Sequence, residues 1–391
     1  MARPSVLFGN HLRLQSASTY RQVGFAKYLK PHGYDCNFLG RAPKEISATR
    51  DRPDQKVEWK SYFTDIEYWK EPIVQNFFSN VKFFSRICKN SSVVHVNRAN
   101  PFTASVISLA RSAPWRLVVD VEDWDGFGGY SSYADKYGPA GALLTFYEQV
   151  FPRTADAVIV VSHLLRSRMI SAGVAKDRIF LIPNGFDPDL FHPGISGRKA
   201  REIYNLGDSP VVIYASTFWD FERSLHEIAM KAFKRILESV PTAKFVVVGS
   251  GNMAVQQIIN EFGLEKHVVR TGFVPREMVP QLMAAADVAL HVISEHPFHV
   301  ASSPMIVPEY MAVGKPIVAP ATGELSYMLR DGAGLLVDRA DPDLLAEGVI
   351  KLLKDETMSK SIGEGALKVA AKGYCYKVLA EKLLEIYSQI N

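Results

Sequence analysis

Cysteine is scarce in this chain of 391 residues: Cys36, Cys88 and Cys375 are far apart, odd in number and in no metal-ligand spacing. That argues against a disulfide framework or a zinc ribbon and predicts free thiols. No apolar run reaches the length needed to cross a bilayer. The formal net charge is only +4, which demands no nucleic acid but does not oppose an acidic lipid surface or an anionic substrate. Met1 to Pro4 lead straight into Ser5-Val6-Leu7-Phe8, too short for a signal peptide, which predicts a cytoplasmic protein. What is present is ordinary for a globular protein, 47% hydrophobic and 22% charged residues, in a chain long enough for two domains.

The patterning alternates strand and helix. Residues 5–8 read as a buried strand ending at Gly9-Asn10, residues 20–29 as a helix and residues 34–40 as the next strand. Further strands are predicted at 92–97, 117–126, 157–161 and 179–182, with helices at 143–151 and 164–172. The turn-rich Pro183-Asn184-Gly185-Phe186-Asp187-Pro188 and the weakly patterned residues after it mark a domain boundary. A second series follows, with strands at 211–215, 244–248, 268–270, 288–292, 317–319 and 335–337 and helices at 224–238, 253–262, 278–286 and 342–353.

Within the second series, Ala301-Ser302-Ser303-Pro304-Met305-Ile306-Val307-Pro308-Glu309 is the stretch with the most chemistry. Ser303 is suited to cap a helix and Pro304 to occupy its first position, leaving the amides of Met305 and Ile306 free to point at an anion. Glu309 then lies about 7.5 Å past Pro304 along the axis, within reach of ribose hydroxyls. An ordinary capped helix packing a sheet explains the same residues. Gly249 and Gly251 follow a strand and open a helix, a loose dinucleotide fingerprint with Arg270 where an acid would read the ribose.

In the first series, Asp120, Glu122, Asp123 and Asp125 crowd the end of one strand, and His95 sits near the end of another. Acids so close are costly unless solvated, paired or used. Ligands of open α/β sheets bind at the carboxyl ends of strands, so Glu122, Asp123 and His95 are candidates for one catalytic crevice. The alternative is that the acids cap a loop and His95 is a core histidine. Gly126-Phe127-Gly128-Gly129-Tyr130 reads as a mobile loop suited to a lid. Residues 59–89 mix aromatic and basic side chains, from Trp59 to Lys89; Phe77, Val81 and Phe84 form a helical core stripe, and the remainder suits a membrane surface.

The segments Ile182-Pro183-Asn184-Gly185-Phe186-Asp187, Val246-Val247-Val248-Gly249-Ser250-Gly251, Thr271-Gly272-Phe273-Val274-Pro275, Ala285-Ala286-Asp287-Val288 and Pro308-Glu309-Tyr310-Met311-Ala312-Val313-Gly314-Lys315-Pro316 occur in that order. Together they resemble the retaining glycosyltransferases of family 4. The resemblance implies an α/β architecture of the GT-B type, two facing Rossmann-like domains with a cleft between them. Domains are expected at 1–188 and 189–373, with a final helix in 374–391 crossing back to the first. It also implies an NDP-sugar donor carrying UDP or GDP, a glycan or lipid-linked acceptor, no required metal or other cofactor, and a role in cell-envelope polysaccharide or glycolipid synthesis. Contact with the inner face of a membrane is expected through residues 59–89.

Carried over by residue, Glu309 corresponds to the second acid of a Glu-x7-Glu motif that holds the ribose. Met305 and Ile306 correspond to the diphosphate amides, Phe273 and Val274 to the loop beside the base, and Gly9 to the glycine loop after the first strand. The first acid of the motif is replaced by Ala301, the cations usual after the first strand of the second domain are replaced around Ser216-Thr217-Phe218-Trp219, and Glu122 stands where a histidine is common. Arg223 is then the expected cation for the departing diphosphate. Two rival readings keep the same scaffold: a nucleotide-sugar epimerase using Glu122, Asp123 and His95, and a catalytically inactive sugar-nucleotide-binding subunit.

Overall fold

The computed structural model describes residues 4–13, 17–41, 61–98, 100–111, 114–135, 138–216, 220–249 and 253–390. The chain forms two compact units, Met1–Gly185 with Ala301–Ser303 and Tyr376–Asn391, and Phe186–Val300 with Pro304–Cys375.

The first unit holds a seven-stranded sheet of β1 (Ser5–Arg13), β2 (Asp35–Arg41), β3 (Asp65–Tyr68), β4 (Val93–Asn97), β5 (Arg116–Val121), β6 (Ala157–Val160) and β7 (Ile179–Leu181), in the order β3-β2-β1-β4-β5-β6-β7. Every pairing is parallel. β4 and β6 are buried at every position, as strands covered on both faces must be. Alternation sends Leu7, Val94, Val96 and Val119 into one core, with Phe84 and Ile107 from the helices Phe77–Ile87 and Pro101–Ala110. Val6, Phe8, Val93 and Val118 enter the other, with Phe25 and Leu383 from the helices Ala17–Leu29 and Tyr376–Ile390. Fully burying a side chain such as Leu383 contributes about 1.5–3 kcal/mol. The latter two helices meet closely at Gly24, where a Cβ would lie 2.6 Å from the Tyr376 ring. The helix Pro101–Ala110 starts where the Asn100 side chain accepts the amides of Phe102 and Thr103, at 3.0 and 3.1 Å.

The second unit holds β8 (Val211–Ala215), β9 (Lys244–Val248), β10 (Val268–Gly272), β11 (Val288–Leu290), β12 (Ile317–Pro320) and β13 (Leu335–Val337), in the order β10-β9-β8-β11-β12-β13. These pairings are also parallel. The helix Arg223–Ser239 carries Ala229, Phe233 and Ile236 into a core with Phe245, Val247, Leu290 and Val349.

Each strand order reverses direction once, between β1 and β4 in the first sheet and between β8 and β11 in the second. Such a switch point leaves a crevice outside the carboxyl ends of the two strands, the usual ligand position in open α/β sheets.

Two elements are added to the sequence reading and one expectation is revised. β3 and the helix Glu356–Gly373 lie in stretches without a clear periodic reading. The 126–130 loop is pinned. Glu148 accepts the amides of Asp125 and Gly126 at 3.0 and 3.3 Å, Thr145 accepts that of Phe127 at 2.8 Å, and the Trp124 indole donates to the Phe127 carbonyl at 3.0 Å. Trp59 lies outside the described residues. Among the described residues, no helix is long and apolar enough to cross a membrane.

Candidate functional site

In the second unit the helix of interest is Ile306–Ala312, and its first turn carries Glu309. Met305 stands at its N-cap and makes no side-chain cap. Ser303 is therefore not the cap expected from sequence. Its hydroxyl accepts the Asn184 amide at 3.2 Å, and its carbonyl accepts Nδ2 of Asn184 at 2.7 Å, both partners lying in the first unit. The Ser303 hydroxyl is thus committed to Asn184 and not to its own helix, which begins two residues after Pro304. Pro308 falls within the first turn, where amides have no intrahelical partner, so it needs no distortion. Gly314 ends the segment in a left-handed conformation, φ +74°, and the chain enters β12.

Glu309 is 2% exposed and forms an ion pair with Arg276, which follows β10. The Arg276 guanidinium also lies over the Phe191 ring, 4.7 Å from its centroid. Burial raises the Glu309 pKa and Arg276 opposes the shift. Arg276 was legible but unread: it directly follows the Thr271–Pro275 motif.

Arg223 departs from its expected role. It opens its helix with its guanidinium shared between Glu227 and Glu261, each at 2.8 Å, so its charge is already compensated. Gly249 has φ +139° and donates its amide to the Gly272 carbonyl at 3.3 Å, while Gly251 lies outside the described residues. Phe273 and Val274 follow β10, half-buried and buried respectively. Met305 and Ile306 are partly exposed.

The β8–β11 switch point gathers groups that sequence reading missed. The helix Pro297–Ala301 brings His299 to Glu222, Nε2 to Oε1 3.1 Å, and to Ser294, Nδ1 to Oγ 2.8 Å. His291 lies one residue beyond β11, buried, with its amide donating to the Val318 carbonyl at 3.0 Å. The signal available was the run of histidines at 291, 296 and 299 after an apolar strand.

In the first unit, the β1–β4 switch point is filled by its own amides. Gln22 donates to the Asn97 side chain at 2.5 Å and the Gly9 carbonyl at 3.3 Å, and Asn97 and Ser18 both donate to Glu122. Burial and then the charge of Asp120 push the Glu122 pKa up to about 8, against Arg21. Arg21 is itself fully buried, with Nε 2.7 Å from Asp120 Oδ2 and further bonds to the carbonyls of Ile182 and Pro183. Asp123 is half-buried and paired with Arg98, which also holds Asp125 at 2.9 Å; burial raises the Asp123 pKa to about 6. Burial likewise raises Glu148 to about 7.

His95 is the clearest correction. It is fully buried, with Nδ1 2.6 Å from the Tyr387 hydroxyl and Nε2 3.4 Å from Asp120, beside Phe8 and Phe25. That is a core histidine, with burial lowering its pKa. Gly9 is explained by packing, since a Cβ there would lie 2.9 Å from Val96 Cγ1. Of the carboxylates, Glu122 has both oxygens engaged inside the fold, and Asp123 remains partly open.

Residues 23–190 match the Glycosyltransferase Family 4 description, and residues 209–355 match Glycosyl transferases group 1. The chain is 30% identical over 240 residues to a GDP-mannose-dependent alpha-(1-6)-phosphatidylinositol monomannoside mannosyltransferase of Mycolicibacterium smegmatis, covering 60% of this chain and 62% of that protein. It is 27% identical over 252 residues to a D-inositol 3-phosphate glycosyltransferase of Acidothermus cellulolyticus, covering 60% and 54%. The matched stretch thus spans less than two thirds of either relative. In fold, the chain is similar to Anabaena HepE, solved in complex with UDP and glucose, with a TM-score of 0.78 at 19% identity over 99% and 100% of the two chains.

Proposed function

Because this chain belongs to the family-4 glycosyltransferases of GT-B fold, we propose that it transfers a sugar, with retained configuration, from an NDP-sugar carrying UDP or GDP to a glycan or lipid-linked acceptor. The observation that carries the reading is the buried Arg276–Glu309 pair beside the carboxyl ends of the second sheet. A carboxylate kept there at the cost of desolvation, and oriented by a guanidinium, suits the two hydroxyls of a ribose. The glycosyltransferase named for Mycolicibacterium uses GDP-mannose and HepE was solved with UDP, which supports both bases as donor probes.

The assigned roles follow the chemistry of a departing diphosphate. The Met305 and Ile306 amides meet its phosphates, Phe273 and Val274 flank the base, and preorganised donors favour the charge that builds on leaving. Arg223 is left out, since two carboxylates already hold it. In the first unit, Asp123 is the acid assigned to the positive charge developing on the sugar, with Glu122 positioning the Asn97–Gln22 amides. The leaving phosphate takes the acceptor's proton, and activity is expected to persist in EDTA.

A lipid-linked acceptor is supported by the helix Phe77–Ile87. Val74 and Phe78 are 75% and 76% exposed, and Lys82, Arg86 and Lys89 are exposed beside them. Apolar and basic groups together suit an anionic lipid surface, with the chain on its cytoplasmic side and a role in envelope glycolipid or polysaccharide synthesis.

Thermal-shift screening with UDP, GDP, UDP-glucose and GDP-mannose tests the donor. A ligand at a hundred times its dissociation constant adds about 2.7 kcal/mol of stability. Product NMR then reads the anomeric configuration. Sugar conversion without an acceptor would instead make the chain an epimerase, and donor binding without turnover would make it an inactive binding subunit.

A further inference from the structure

We propose that His291 hydrogen-bonds a hydroxyl of the sugar carried by the nucleotide donor, and so helps select which sugar is transferred. The inference rests on the reading that the second unit takes an NDP-sugar.

His291 follows β11, one of the two strands flanking the switch point of the second sheet, and Glu222 lies beyond the end of the other, β8. Alternation along the strand puts Val288, Leu290 and Val292 in the apolar core, so His291 points to the other face.

His291 is 8% exposed, yet among the described residues neither ring nitrogen has a hydrogen-bond partner. Buried polar atoms are normally paired, and an exception calls for an explanation. Its neighbour His299 offers no relief, because Glu222 occupies Nε2 and Ser294 occupies Nδ1. The first sheet's switch point makes the contrast, for there Gln22, Asn97, Ser18 and Glu122 satisfy one another.

The charge state then narrows the ligand. Burial, and secondarily His299, lower the His291 pKa to about 4, so the ring is neutral near pH 7. A neutral imidazole offers one donor and one acceptor. A sugar hydroxyl is likewise both donor and acceptor, whereas a diphosphate at that pH only accepts. The ring is therefore matched to the sugar and not to the phosphates.

Calorimetric titration of wild type, His291→Phe and His291→Gln with UDP, UDP-glucose, GDP and GDP-mannose tests this. The expected result is a loss of at least about tenfold in affinity for the bound NDP-sugar in His291→Phe, with the matching free NDP within about twofold. His291→Gln, which keeps a donor and an acceptor, should retain most of the sugar-dependent affinity. The melting temperature of unliganded His291→Phe should rise, since two unpaired buried polar atoms are removed. Equal losses for NDP and NDP-sugar, or no loss for either, would overturn the inference alone. Failure of the wild type to bind any of the four probes would overturn the donor reading, and this inference with it.

Discussion

Arg276 and Glu309 share a buried ion pair in the second unit, with Nη1 of the arginine 3.3 Å from Oε2 and a closer contact between Nη2 and Oε1. The pair joins the loop after β10 to the first turn of the helix before β12. Two elements distant in sequence thereby fix one carboxylate.

Glu309→Ala is expected to weaken NDP binding about tenfold, or 1.4 kcal/mol. Asp287→Ala should change it little, because Asp287 accepts the Val211 amide at 2.7 Å and pairs with Arg201 at 3.2 Å, at the start of β8 and away from the ligand edge. Equal dissociation constants for the two variants would remove the ribose assignment. Arg276→Ala, which leaves the carboxylate buried and unpaired, should cost about 3–5 kcal/mol in urea denaturation.

The same logic applies to Arg21, whose guanidinium is surrounded by Asp120, Glu122, Asn184 and two carbonyls. Arg21→Met should destabilise the protein by about 3–5 kcal/mol. Adding Asp120→Asn should restore part of that loss, since the neighbours couple. A strictly additive double mutant would show that the two do not interact energetically.

Stability should fall as pH rises across the Glu122 titration. Folded Glu122 keeps its proton to about pH 8, while an unperturbed glutamate releases it near 4.5. Between those values the folded state binds the extra proton, so ionisation favours unfolding. His291 acts in the opposite sense between about 4 and 6.5, where the unfolded chain binds the proton, but it is common to both proteins compared. Glu122→Gln should therefore match wild type near pH 5 and gain on it steadily toward pH 8. A stability difference that stays constant with pH would contradict the elevated pKa.

For the surface, Phe78→Asp combined with Lys82→Glu should reduce flotation with anionic vesicles and turnover of a lipid-linked acceptor. Each basic residue near such a surface contributes about 1 kcal/mol. Donor binding in solution should be unaffected. Undiminished vesicle binding would move the membrane contact elsewhere.

Much of the framework was legible because buried parallel strands write themselves as short apolar runs. The strands 211–215, 244–248 and 335–337 have the bounds their pattern predicts, and most others agree within a few residues. β3 was missed because its four residues alternate at a sheet edge and leave little pattern. At the site, the run from Pro308 to Pro316 announced Glu309, but nothing in it announced Arg276 as the partner. His95 and Arg223 misled because a titratable type at a strand or helix end looks alike whether it faces a ligand, a tyrosine or two glutamates.

The amino-acid order alone determined the alternation of strand and helix, the division into two sheets and the family motifs, since these depend on local periodicity and on residue type at fixed spacing. Which polar groups were already satisfied was decided only by tertiary structure. Hydrogen bonds such as Tyr387 to His95 and Asn184 to Ser303 join residues far apart in the chain, and burial sets the charge state of each group once they meet.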